Sequence, residues 1–151
     1  MPQHTASSVI KLAEAQETAS ARFYDAALQK APLRPDLFEA YAAENRKNAK
    51  LVRRTYYEVV SDALETGFSF RSADLPIDVI EFHSGMDDFS EVVNTAIQIE
   101  ETLEAFYHLL ASQSRSLLAD LSRLFDRLAK RRVERAMKLR LLSQQLTEPT
   151  S

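Results

Sequence analysis

FEAYAAENRKNAKLV, residues 38–52, and FDRLAKRRVERAMKL, residues 125–139, carry one pattern in one register. Phe38, Tyr41, Ala42, Asn45, Asn48, Ala49 and Val52 fall on Phe125, Leu128, Ala129, Arg132, Arg135, Ala136 and Leu139 with identical spacing. Steps of three and four residues set each series along one face of a helix. A second pair of segments repeats in the same way, Glu17, Phe23 and Tyr24 falling on Glu100, Phe106 and Tyr107. The chain therefore reads as two copies of one helical hairpin, which makes it all-α.

Working outward, the only two glycines, Gly67 and Gly85, bracket the one segment without helical periodicity. Elsewhere the chain favours Ala, Leu, Glu, Lys, Arg and Gln, which lose little entropy in helices. The spacing predicts helices over about residues 5–29, 36–66, 88–111 and 116–146 in a single domain spanning residues 1–151. Asp36 with Glu39 three residues later has the form of a capping box, Pro32 and Pro35 mark the turn before it, and Gly67 suits a helix stop. Asp87 and Asp88 suit the cap and first turn of the third helix, and residues 112–116 read as a turn. Residues 67–87 hold Pro76 amid Phe68, Phe70, Leu75, Ile77, Val79, Ile80 and Phe82, too apolar for a solvated linker. They are expected to form a crossover packed along the bundle, giving an antiparallel four-helix bundle of two hairpins joined by a long connection.

Composition bounds the function. With 45% hydrophobic residues in 151, a core can form by packing alone, and the absence of cysteine removes disulfides and thiolate metal sites. No apolar run is long enough for a membrane span and the polar opening lacks a signal-peptide layout, so a cytoplasmic protein without membrane contact is expected. A net charge of −3 gives no nucleic-acid footprint. The charge is unevenly placed, however. Residues 127–140 carry seven basic residues and one acid, whereas residues 87–104 carry acids and no Lys or Arg. Two neighbouring helices of opposite charge would attract each other.

A glutamate seven residues before a tyrosine (Glu17 with Tyr24, Glu100 with Tyr107), together with the F-x-x-[aromatic or Leu]-A frame at Phe38 and Phe125, resembles the rubrerythrin-like branch of the ferritin-like superfamily across all four helices. The resemblance implies that each frame is followed by Glu-x-x-His, and that these motifs plus the two glutamates hold a pair of iron or manganese ions. This chain departs from the pattern where the ligands should stand: Asn45 and Asn48 in helix two, Arg132 and Arg135 in helix four. Carboxamides are poor stand-ins for carboxylate and imidazole, and guanidiniums place fixed positive charge where divalent cations would sit. Glu17 and Glu100 remain, with Glu104 one turn on and Glu101 as an alternative inward residue.

These seven positions, Glu17, Asn45, Asn48, Glu100, Glu104, Arg132 and Arg135, read as a degenerate metal site. Opposite charges in one layer of an apolar core are expected to pair, because an unpaired buried ion costs several kcal/mol. His4, His83 and His108 have no paired spacing, Tyr24, Tyr41, Tyr56 and Tyr107 lie on core stripes, and no phosphate loop, nucleophile triad or zinc spacing occurs. The expected function is that of a non-catalytic ferritin-like protein without cofactor, working through a homodimer or a protein partner. Alternatives are an oxidoreductase or iron-handling protein holding iron or manganese on Glu17, Glu100 and Glu104, an adaptor using the basic fourth helix, and an anion site on Arg132 and Arg135.

Overall fold

The computed structural model describes residues 3–31, 33–59, 69–71, 88–114 and 119–147. In chain order these form a short strand β1 (Gln3–Thr5), helices α1 (Ala6–Leu28) and α2 (Pro35–Val59), a strand β2 (Ser69–Arg71), and helices α3 (Phe89–Ser114) and α4 (Ala119–Thr147). The helices make an all-α bundle of two hairpins, α1 packing along α2 and α3 along α4. Across the hairpins α2 meets α4 and α1 meets α3.

The stripes explain the packing. On α1, Ile10, Ala13, Glu17, Ser20 and Tyr24 are all buried, and the corresponding face of α3 buries Val93, Ala96, Glu100, Leu103 and Tyr107. Tyr24 stacks on Phe38 at 5.9 Å between ring centroids, and Tyr107 stacks on Phe125 at the same 5.9 Å. The sequence repeat is thus a repeat of contacts. Phe38, in the first turn of α2, also meets Phe89, the first residue of α3, at 5.8 Å. The starts of α2 and α3 therefore lie at one end of the bundle, so the end of α2 and the start of α3 are a bundle length apart. That separation is what a long crossover serves.

Helix ends differ in detail from expectation. Helix α2 opens at Pro35 rather than Asp36, because proline's missing N–H costs nothing at a first helical position. Arg34, just before it, has φ 54°, a left-handed value uncommon for a side chain with a Cβ. Its guanidinium bonds both carboxylate oxygens of Asp36 at 3.2 Å, so Asp36 acts as a first-turn acid. Asp88 does cap α3, its Oδ1 accepting from the Ser90 N–H at 3.0 Å. Helix α3 runs on through residues 112–114, which had read as a turn. Ser114 is helical, and its buried hydroxyl is satisfied by donating to the Leu110 carbonyl at 2.7 Å.

Before α1, the expected helical Thr5 instead ends β1, which pairs antiparallel with β2, Gln3 opposite Arg71 and Thr5 opposite Ser69. The rest of the crossover, with Gly67, Pro76, His83, Gly85 and Asp87, lies outside the described residues, as do residues 60–66 and 115–118 and the polar tail from residue 148. Among the described residues no helix is long and apolar enough to cross a membrane.

Candidate functional site

Midway along the bundle the apolar core is interrupted by a layer of buried charged side chains. Arg132, at the centre of α4, is 1% exposed and donates through Nη1 to Glu100 at 2.8 Å and through Nη2 to Glu17 at 2.6 Å. Both carboxylates are fully buried. Nη2 also reaches the Asn45 Oδ1 at 3.1 Å. One turn on, Arg135 donates through Nη1 to Asn45 at 2.7 Å and Glu100 at 3.3 Å, and through Nη2 to Glu44 at 2.7 Å. Tyrosines from opposite hairpins close the ends: the Tyr24 hydroxyl donates to Glu100 and the Tyr107 hydroxyl to Glu17, each at 2.6 Å.

At the rim, Arg131 grips Glu44 with two bonds, Nε at 2.8 Å and Nη2 at 3.0 Å. Three carboxylates thereby meet three guanidiniums, so the inward-facing charges balance, while exposed Glu134 pairs with Arg131 from outside the layer at 2.9 Å. Neutrality and multiple bonds per ion are what a buried ion cluster requires, since desolvation of each charge is costly. Arg135 also lies over the Tyr41 ring, its Cζ 4.6 Å from the centroid. This cation–π contact faces a guanidinium whose Nε, like the Tyr41 hydroxyl and Asn45 Nδ2, has no hydrogen-bond partner among the described residues.

Titration follows the geometry. Burial tends to push the Glu44 carboxyl up, but the hydrogen bonds and charges of Arg131 and Arg135 outweigh it and hold the group at about 2. Burial, then the adjacent carboxylate of Glu100 or Glu17, raises Tyr24 and Tyr107 well above the ordinary phenol range. Burial raises Tyr41 to about 12. Burial disfavours the Arg132 cation, yet Glu100 and Glu17 together more than restore it. A phenol whose folded pKa lies above its unfolded value stabilises the fold below pH ~10 and loses that contribution as pH rises through the folded value. Spectrophotometric titration should accordingly find Tyr24, Tyr41 and Tyr107 silent at pH 11 in the folded protein and ionised once urea unfolds it. Five phenolates appearing together near pH 10 in folded protein would contradict a dry layer.

Of the seven expected site residues, the fold brings five together: Glu17, Asn45, Glu100, Arg132 and Arg135. Asn48 is buried one turn beyond Asn45 but is not among the hydrogen-bond partners of the arginines. Glu104 lies outside the layer, partly exposed, with its carboxylate 3.8 Å from His108 Nε2. The choice between Glu100 and Glu101 is resolved by phase, Glu101 being exposed and paired with Arg140. Glu44 and Arg131 were missed. The repeat held the signal, because position 44 superposes on position 131 with charge reversed. Of the seven basic residues of 127–140, Arg131, Arg132 and Arg135 engage acids of other helices in the layer, and Arg140 pairs with Glu101 at the surface.

A pair of divalent metal ions does not fit these residues. The carboxylate oxygens of Glu17 and Glu100 are taken by guanidinium and phenol donors, and the guanidiniums add positive charge between them. Among the described residues no three His, Cys, Asp or Glu side chains stand as a metal-binding group. Fold and site together define an all-α bundle of two hairpins with a neutral, buried ion-pair layer at its centre. No family model matches the chain, and neither the curated proteins nor the solved structures gave a match to it.

Proposed function

We propose that this chain is a ferritin-like bundle, akin to the rubrerythrin branch, in which an ion-pair layer stands where that family holds its two metal ions. It works without redox catalysis, in the cytoplasm, through self-association as a homodimer or through a protein partner. The observation that carries this reading is Arg132, whose two Nη atoms bridge Glu17 and Glu100, the two glutamates the resemblance assigns as metal ligands. One feature of the surface supports a contact role. Met137 and Leu141, one turn apart on the outer face of α4, are 58% and 59% exposed. Apolar side chains so placed favour burial against another protein.

The test is elemental analysis after incubation with iron and with manganese. Well under one ion per chain is expected after desalting, with no rise in melting temperature from either metal, since an ion that bound the folded state would stabilise it. Stoichiometric metal that survives desalting would overturn the reading. It would favour instead a site built on Glu17 and Glu100 after displacement of Arg132, a rearrangement that nothing in the geometry favours.

A further inference from the structure

The polar layer is not shared evenly between the hairpins. Facing inward from α1–α2 are Glu17, Glu44 and Asn45, an acidic set; facing inward from α3–α4 are Glu100, Arg131, Arg132 and Arg135, a basic one. Most bonds of the layer also cross from one hairpin to the other. Tyr24 reaches Glu100 and Tyr107 reaches Glu17, while Arg132 reaches Glu17 and Asn45, and Arg135 reaches Asn45 and Glu44. The scaffolds beneath are near copies, position 44 matching 131, 45 matching 132 and 48 matching 135. Apolar packing alone therefore gives either hairpin little reason to prefer its counterpart over its own kind.

We propose that the division of charge is a pairing code. The inner face of α3–α4 is built to receive an acidic α1–α2 hairpin and to refuse the basic α3–α4 hairpin of another copy. Two α3–α4 faces would bury arginines in excess of the Glu100 carboxylates, and two α1–α2 faces would bury carboxylates with no cation. Only the mixed pair is neutral. Repulsion designed against the wrong partner is a general source of specificity, and one polar layer that fixes register or partner is the best-attested use of buried charge. The inference rests on the bonds between the hairpins and holds whether or not the chain is ferritin-like.

The test uses three variants of the full chain. Glu44→Arg/Asn45→Arg/Asn48→Arg makes both faces basic, and Arg131→Glu/Arg132→Asn/Arg135→Asn makes both acidic. The third combines all six substitutions and so moves the basic set to the other hairpin. Each triple variant should melt roughly 10 °C or more below the parent, or show no cooperative transition, the loss expected from stranded buried ions in a chain of this size. The six-substitution exchange should regain at least half of that loss, because the repeat lets the arginines placed at positions 45 and 48 reach the same two glutamates. Independent structural damage predicts the reverse, since six unrelated changes would add and leave the exchange variant the least stable of the three. The proposal is overturned if either triple variant melts with the parent, or if the exchange variant melts no higher than the triples.

Discussion

Replacing Arg132 by Met should cost the fold about 3–5 kcal/mol, the penalty for leaving a buried ion without its partner. The methionine fills much of the space, so the loss reports charge and hydrogen bonds rather than a cavity. Glu17 and Glu100 would each lose a donor at 2.6 and 2.8 Å while remaining fully buried. Replacing Glu17 by Ala should fall in the same range, for it takes from Arg132 one of its two carboxylates and removes the acceptor of the Tyr107 hydroxyl. The control is Arg123→Ala, which breaks an ion pair with Asp120 on the exposed outer face of α4 and should cost less than about 1 kcal/mol. Urea unfolding of the three variants provides the comparison. Equal small losses for Arg132→Met and Arg123→Ala would mean that water reaches the layer.

The combined variant Asn45→Glu, Asn48→His, Arg132→Glu and Arg135→His should bind two divalent ions and gain markedly in thermal stability when it does. The geometry gives this expectation its force. Asn45, Arg132 and Arg135 already converge between Glu17 and Glu100, and Asn48 is buried one turn away. The substitutions put two Glu-x-x-His pairs opposite two glutamates, on helix faces where residues three apart ligate from one side. Metal binding that depends on the folded site adds its free energy to folding. Without metal the same variant should be less stable than the parent, as its carboxylates crowd together with no cation among them. Calorimetric titration with manganese and a melting curve at each loading read both effects. A folded variant that takes up no metal would separate the architecture from the chemistry proposed for it, and the ferritin-like reading would fail.

Much of this layer was legible because helical periodicity and internal repetition reinforce each other. Two stripes in one register fixed the phases of α2 and α4 well enough to place Asn45, Arg132 and Arg135 inward, and the Glu–Tyr spacing did the same for α1 and α3. Glu104 was misjudged for a physical reason: one turn beyond Glu100 it is Leu103 that faces the core, and Glu104 lies beside it, partly exposed and near His108. Glu44 escaped because it lies at the edge of the stripe, where spacing alone does not say whether a long side chain folds inward or outward; the cations opposite decide that. Helix ends were read least well. The Ser114 hydroxyl bonds its own helix backbone, which no propensity scale anticipates, and the short pairing of Gln3–Thr5 with Ser69–Arg71 joins segments too far apart in sequence for any local pattern.

The sharing of single groups within the layer also constrains how such a sequence drifts over generations. Arg132 serves two carboxylates, Glu100 accepts from two arginines and a tyrosine, and Asn45 bridges both arginines. Replacing any one member leaves others short of a partner, so a route to an apolar or metal-binding centre runs through less stable single-step intermediates. Such a layer behaves as a ratchet. Descendants of this chain are expected to change positions 17, 44, 45, 100, 132 and 135 as a set or to keep them all, while the exposed faces of the same four helices vary freely.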